Sequence, residues 1–365
     1  MQERIGSIRL RSGRSIGENN PCFVVAEIGN NHQGDVEVAA QMVDEAAKAS
    51  ADAVKFQKRN TEALLTRAGR EAPYTGKNSF GPTYGEHRDA LELSIEDLAA
   101  LKARAESLGM VFFASAWDEP SLDQLLSLEP ELMKVSSAEL VNLPLLRKIG
   151  ASGIPVILST GMSTFEDIEA ALSELRRYHD DIVLLHCNSR YPCPEEQIGL
   201  PVIETMREAY GLPVGYSGHE RGMGPSVAAV AFGACVVERH FTLDKTMRGT
   251  DHQVSLEPAE LAAVVNMIRE VEKAVRIKGK KVFPEEQAAA KKLRKSIIFA
   301  RDLPAGHVIA EADITAKCPG DGVSPVHWDE VLGTTLKSPV QHEEPLRWEL
   351  LAQRSLEEAR AAATS

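Results

Sequence analysis

Two histidines carry the first chemical signal. His219, in GYSGHERG, and His240, in VERHFTLD, stand at or just beyond the ends of the strand-like runs Val214–Tyr216 and Cys235–Glu238. Imidazole nitrogen suits zinc, manganese and iron alike, and two such ligands leave positions open for water or substrate oxygens, as a Lewis acid requires. The plainer reading is a pair of hydrogen-bonded surface histidines. A second set is cationic: Lys55 and Lys134 close two other strand-like runs, with the hydroxyls of Ser115, Ser137, Ser159 and Ser217 at further run ends. A lysine offers phosphate or carboxylate a point charge while serine hydroxyls fill the remaining acceptors. Lysines so placed also form Schiff bases, and the residues alone leave both chemistries open. Glu27, Glu139, Glu238 and Asp251 are candidate bases or cation holders, against the alternative of inert ion-pair partners.

The elements that must carry these groups alternate. Eight short runs rich in β-branched or aromatic residues are legible at Phe23–Ile28, Ala53–Phe56, Val111–Ser115, Leu132–Val135, Val156–Leu158, Ile182–His186, Val214–Tyr216 and Cys235–Glu238. Amphipathic stretches such as Val36–Ala49, Ile95–Leu108, Phe165–Tyr178 and Ala259–Val275 lie between them. Eight βα units in about 250 residues, with no glycine-rich nucleotide fingerprint after the first run, predict an α/β fold of the (β/α)8 TIM-barrel type. In such a barrel the site lies at the C-terminal ends of the strands, where Gln57, Asn188, Ser189 and Tyr191 join the residues already named.

Three stretches depart from this repeat. SIRLRSGRSIG reads as a hairpin before the barrel, and Lys58–Leu93 is much longer than an ordinary βα connection. After the last helical stretch, a charged segment interrupted by Pro284 leads into short strand-like pieces separated by turns. The expected organisation is a barrel over 1–283, a linker over 284–295, a small β-rich domain over 296–353 and a frayed tail over 354–365.

With 43% hydrophobic and 26% charged residues, the composition is that of a globular protein, and no apolar run approaches the roughly 20 residues of a membrane span. The N-terminus lacks a secretory core and carries acidic residues, so the cytoplasm is the expected compartment. A net charge of -12 opposes nucleic acid and anionic membrane as partners. Five scattered cysteines match neither a disulfide framework nor a zinc pattern, and most are expected to be buried thiols.

The ordered runs AEIGNNHQGD, KFQK, LSTGM, LHCNSRYP, GYSGHERG and VERHFTLDKTMRGTDHQVSLEP resemble those of the sialic acid synthases, and the C-terminal segment resembles their antifreeze-like (SAF) domain. The resemblance covers nearly the whole chain. It implies an enzyme that condenses phosphoenolpyruvate with an open-chain N-acetylmannosamine-type hexose and releases phosphate. It implies that His219 and His240 bind Mn2+ or a similar ion, Mg2+, Co2+ or Zn2+, which holds and polarises the sugar aldehyde. Lys55, Gln57, Ser115, Lys134, Ser137, Ser159, Ser189 and Ser217 would hold phosphoenolpyruvate, and the Schiff-base reading recedes. Glu27 would orient or deprotonate the attacking water, Asp251 would meet the acceptor, and Tyr191 would line the site.

PYTGKNSFGPTYGEHRDALELS resembles the branch with the animal enzymes, which take 6-phosphorylated acceptors. Lys77, His87 and Arg88 are the expected cations for that phosphate, with Glu139 a further acceptor-side candidate. The chain departs from many bacterial members in carrying SAWD for STPF and KCPG for KRPG, so Cys318 stands where their arginine reaches a partner's N-acetyl group. N-acetylmannosamine, its 6-phosphate and mannose 6-phosphate, which would yield KDN 9-phosphate, all remain as acceptors. The family further implies a homodimer in which the small domain covers the partner's barrel. Competing readings are another phosphoenolpyruvate-dependent 3-deoxy sugar acid synthase, and a non-catalytic carbohydrate- or ice-binding protein.

Overall fold

A computed structural model describes residues 6–277 and 279–352, in two units, Met1–Arg276 and Ile277–Ser365. In the first, the hairpin β1 (Ser7–Arg9) and β2 (Ser15–Gly17) precedes β3 (Phe23–Gly29), β4 (Ala53–Lys58), β5 (Val111–Ala116), β6 (Met133–Val135), β7 (Val156–Ser159), β8 (Ile182–Cys187), β9 (Val214–Gly218) and β10 (Val236–His240). These last eight strands run parallel, and β10 closes onto β3. The expected (β/α)8 barrel is therefore the fold.

Alternation along the strands decides what the barrel contains. Phe23, Val25, Ala53, Val111, Phe113, Leu132, Ile157, Val183, Leu185 and Val236 point inwards and pack with Ile8, Leu10 and Ile16 of the hairpin, which plugs the N-terminal mouth. The intervening residues, such as Val24, Ala26, Val54, Phe56 and Phe112, pack outwards against helical Met42, Leu98 and Leu101. Side chains on a strand repeat every second residue. Counting on by two from the inward apolar set reaches Glu27, Lys55, Gln57, Ser115, Lys134, Ser159, Cys187, Glu238 and His240. The interior is thus apolar at its N-terminal end and charged at the other. Gly215 sits in this inward series because an added Cβ would lie 2.6 Å from Val236 Cβ and 2.7 Å from Leu185 Cδ2.

The helices form for ordinary reasons. In Val36–Lys48 the Asp35 side chain accepts the first free amides, from Glu37 and Val38, and Ala39, Met42, Val43 and Ala46 make the buried stripe. Element ends shift slightly from expectation. Thus β10 runs to His240, because the ladder with β3 continues until His240 pairs with Glu27. The long 58–93 connection is not plain loop but carries the short helices Thr61–Leu64, Arg67–Glu71 and Tyr84–Asp89, capped by Asn60, Thr66 and Thr83.

In the second unit, the segment expected as a linker carries a 3-10 turn, Pro284–Glu286, and a short α-helix, Gln287–Leu293. They lead into the antiparallel pair β11 (Ser296–Phe299) and β12 (Ile314–Lys317). Ile297, Phe299, Ile309, Ile314, Val331 and Leu346 belong to this unit's own core. The frayed tail expected over 354–365 lies outside the described residues. Cys22, Cys187, Cys193 and Cys235 are buried and Cys318 is exposed, all as free thiols. Among the described residues no helix is long and apolar enough to cross a membrane.

Candidate active site

The C-terminal mouth of the barrel opens into a cavity of about 420 Å³. It brings together most of the side chains singled out from the sequence: Glu27, Lys55, Gln57, Ser115, Lys134, Ser137, Ser159, Ser189, Tyr191, Ser217, His219, Glu238, His240 and Asp251, with His87 and Arg88 from the long connection. Three expected residues do not line it: Lys77, Glu139 and Asn188, whose backbone carbonyl instead accepts from His219. Lys77 is exposed, on a turn away from the cavity. Glu139 is buried and accepts a 2.7 Å hydrogen bond from Asn142, which it caps against rather than facing the cavity.

The floor is a buried array of balanced charge. Ladder register sets Glu27 beside Lys55, so Lys55 Nζ lies 2.8 Å from Glu27 Oε2 and 3.8 Å from Glu238 Oε1. Lys134 Nζ also lies 3.8 Å from Glu238 Oε1, and it donates to Ser159 Oγ at 2.6 Å and to the Val135 carbonyl at 3.1 Å. Ser217 donates to Glu238, and Gln57 Nε2 donates to Glu27 Oε1 at 2.6 Å. Burial raises the Glu27 carboxyl, with Lys55 opposing. Burial also pushes Glu238 up, but Lys134 and Lys55 together pull it below the ordinary carboxylate range. Lys134 is lowered because burial disfavours its ammonium.

Several polar atoms here have no partner within the protein. Ser115 Oγ, Ser136 Oγ, Glu238 Oε2 and His240 Nδ1 are buried without a hydrogen bond. Each such atom costs about 1–3 kcal/mol, so their concentration in one cavity marks the seat of a polar ligand. Gly161 shapes the same wall. Its N–H donates to Ser137 Oγ at 3.0 Å, and an added Cβ would lie 2.3 Å from Ser189 Oγ and 2.8 Å from Ser137 Oγ.

His219 and His240 face each other with ring centroids 5.5 Å apart. His219 Nδ1–H donates to the Asn188 carbonyl at 2.6 Å, which leaves the Nε2 lone pair for a hydroxyl or a metal. Tyr191 Oη is 2.6 Å from that Nε2 and 3.5 Å from His240 Nε2, so both imidazoles converge on one point. Burial holds His240 down to about 4, so its ring is neutral at pH 7, as a metal ligand must be. No cluster of three or more His, Cys, Asp or Glu set to hold a metal occurs among the described residues. Two imidazoles offer a cation two protein ligands, and any cation held there would take its remaining ligands from water or substrate.

Other lining residues escaped the sequence reading. Arg59 is buried, its guanidinium donating to Gln57 Oε1 and Asn30 Oδ1 and lying 4.2 Å from the Trp117 ring centre. Ala53, Lys55, Gln57 and Arg59 are one inward series, so counting one step further would have found it. Arg248 also lines the cavity, from within the quoted run TMRGTDHQ, and no periodicity there signals its direction.

The description "NeuB family" matches residues 42–280, and "SAF domain" matches residues 294–352. N-acetylneuraminate-9-phosphate synthases of Homo sapiens and Mus musculus are each 41% identical over 311 residues, 85% of this chain and 87% of theirs. N,N'-diacetyllegionaminic acid synthase of Legionella pneumophila is 36% identical over 352 residues, covering 94% of this chain and 99% of its own. Among solved structures, an N-acetylneuraminic acid (sialic acid) synthetase from Leptospira borgpetersenii in complex with citrate superposes with a TM-score of 0.69 at 35% identity, covering 78% of this chain and 95% of that one. By sequence, fold and the two matched domains, this chain belongs to the NeuB family and carries a C-terminal SAF domain.

Proposed function

We propose that this chain is a nonulosonic acid synthase, which joins phosphoenolpyruvate to an open-chain N-acetylmannosamine-type hexose or its 6-phosphate and releases inorganic phosphate. The observation that carries the reading is the convergence of Lys55, Lys134, six serines, His219 and His240 in one cavity, where Ser115 Oγ, Ser136 Oγ, Glu238 Oε2 and His240 Nδ1 are buried without protein partners.

Lys55 and Lys134 would hold the phosphate and carboxylate of phosphoenolpyruvate, with Gln57 and the hydroxyls of Ser115, Ser137, Ser159, Ser189 and Ser217 filling the remaining acceptors. Against burial, Glu238 and Glu27 raise Lys55, which stays charged and suits anion binding better than Schiff-base chemistry, while Lys134, which burial lowers, is oriented by Ser159 and faces Glu238 at 3.8 Å. A divalent cation, with Mn2+ expected, would be held by His219 and His240 and would supply Lewis-acid polarisation of the acceptor's carbonyl oxygen. The enol carbon attacks the aldehyde carbon, and positive character develops at the pyruvyl C2. Water adds there, and the C–O bond to phosphate breaks, so one hexose, one phosphoenolpyruvate and one water give one nonulosonic acid and one phosphate. Glu27, held by Gln57 and Lys55, orients that water and accepts its proton. Asp251 meets the acceptor, and Tyr191 restrains His219 by stacking on it at 3.9 Å.

The working form in this reading is a cytoplasmic homodimer in which the SAF domain completes the partner's site. Truncation after Lys295 should then yield a folded but inactive barrel. The deciding assay measures phosphate release from phosphoenolpyruvate with N-acetylmannosamine, its 6-phosphate or mannose 6-phosphate, with and without chelator, and weighs the product. No release with any of the three acceptors in the presence of Mn2+ would remove the proposal.

A further inference from the structure

We propose that Glu220 and Arg239, an ion pair buried behind the strand ends on the outer face of the barrel, are positioning residues that set His219 against His240. The inference rests on the synthase reading, in which those imidazoles hold the cation, and adds what fixes them there. Each member of the pair is the chain neighbour of one histidine. Side chains alternate, so His219 and His240 line the cavity while Glu220 and Arg239 face outwards, towards the helix Gly224–Ala231. The register between β9 and β10 ends where Arg239 stands beside Gly218, one residue short of the histidines. His240 continues against Glu27 of β3, and His219 is held from the β8 side, its carbonyl accepting from the Cys193 N–H and its ring donating to the Asn188 carbonyl. Between the two histidines, where the ladder has stopped, the link is the side-chain pair.

Arg239 Nη1 lies 3.0 Å from Glu220 Oε1, and the two side chains are 1% and 0% exposed. The guanidinium also grips the backbone that follows His219, donating to the Glu220 carbonyl at 2.6 Å and the Gly222 carbonyl at 2.8 Å. A further bond, of 3.2 Å, reaches the Val254 carbonyl, just beyond Asp251. Tyr216 Oη donates to Glu220 Oε2 at 2.8 Å, and Ser226 Oγ donates to Oε1 at 2.6 Å. Gly218 makes the room, because an added Cβ there would lie 2.5 Å from Glu220 Oε2 and 3.0 Å from Arg239 Cδ. One charged pair thus fastens β9, β10, a helix and the segment that carries Asp251. Such a pair is a poor source of stability, since well-packed apolar residues in its place are often neutral or stabilising. What apolar residues lack is direction, which charge-assisted hydrogen bonds supply. Neither Glu220 nor Arg239 lines the cavity, so whatever they do for the site passes through the histidines and the Asp251 segment.

The test combines Glu220→Leu and Arg239→Met in the full-length protein, which removes both charges and keeps much of the volume. If the pair serves the fold alone, the melting temperature moves and the site does not. We expect the reverse: a melting temperature unchanged or raised, with Mn2+ binding, read by paramagnetic resonance, weakened about 10-fold or more, as for other residues behind metal ligands. Phosphoenolpyruvate binding to the metal-free protein, read by calorimetry, should change by less than about 3-fold, because Lys55, Lys134 and Ser159 lie within the ladder. Unaltered Mn2+ binding in the folded double variant overturns the proposal, as does an equal loss of both ligands. Should that variant not fold, Tyr216→Phe deletes a single hydrogen bond to Glu220 and should weaken Mn2+ binding about 3-fold or more; equal binding refutes the pair. A wild type that binds no phosphoenolpyruvate, or no Mn2+, defeats the synthase or the cation reading separately. The imidazole nitrogen resonances of His219 and His240, assigned through His219→Ala and His240→Ala, then still decide: displaced resonances in the variant support the positioning role, and unchanged ones refute it.

Discussion

Gln57 donates its side-chain N–H to Glu27 across 2.6 Å, tying neighbouring strands together at the cavity floor. The other Glu27 oxygen faces Lys55, so this carboxylate is held from both sides and cannot swing away. Glu27→Gln keeps the shape but puts an uncharged amide beside Lys55. We expect kcat to fall by about 10²- to 10⁴-fold, the range for loss of a general base, with a smaller change in KM for phosphoenolpyruvate. Steady-state phosphate release at saturating substrates measures it, and full turnover in the variant would remove Glu27 from the mechanism.

The histidine pair makes a separate forecast. His219→Ala and His240→Ala should each weaken Mn2+ binding by more than about 10-fold, since even outer partners of metal ligands contribute that much. Metal retained after gel filtration, or the signal of free Mn2+ in paramagnetic resonance, reports the loss independently of catalysis. If both single variants retain the wild type's metal content, the cation sits elsewhere.

Gly161 tests the serine wall. In Gly161→Ala the new methyl would crowd Ser189 and Ser137, at the surface proposed to hold phosphoenolpyruvate. Overpacking of this kind costs about 1–3 kcal/mol, so KM for phosphoenolpyruvate should rise about 10-fold or more. Circular dichroism should show an unchanged barrel. An unaltered KM would mean that the phosphate lies away from this wall.

Asp313 governs the acid stability of the small domain. Its buried carboxylate accepts from Arg301, His307 and the Ala310 N–H, and it is pulled to about 2, these hydrogen bonds outweighing burial. A carboxyl depressed on folding adds stability that is present above its unfolded value, near 4, and is lost as pH falls towards the folded one. Asp313→Asn should therefore destabilise the domain at pH 7, and the gap from wild type should close as pH drops from about 4 to about 2. Denaturation followed by Trp328 and Trp348 fluorescence reads both. A gap that persists at pH 2 would assign the effect of the substitution to shape rather than charge.

Much of this protein was legible from local pattern. The strand-like runs and amphipathic stretches announced the barrel, because a parallel strand buried on both faces is apolar over most of its length and its crossover helix must be striped. The same period-two rule that buries Val25 and Phe113 points Glu27 and Ser115 into the cavity, so most of the floor could be named without coordinates. Its next step, to Arg59, was there to be counted. One of the short helices in the long connection begins at a Thr83–Glu86 capping box, a T-x-x-E signal that the reading of the sequence passed over.

What tertiary structure alone decided lies on the rim. Lys77, His87 and Arg88 are near neighbours in sequence, yet only the last two reach the cavity, while Arg248 arrives from the segment after β10, 160 residues further along the chain than Arg88. Glu139, at a strand end like the others, turns to Asn142 instead. Strand alternation is set by backbone geometry residue by residue and can be read along the chain. The direction of a side chain on an irregular connection is set by distant partners such as Phe80, and those contacts exist only once the chain has closed.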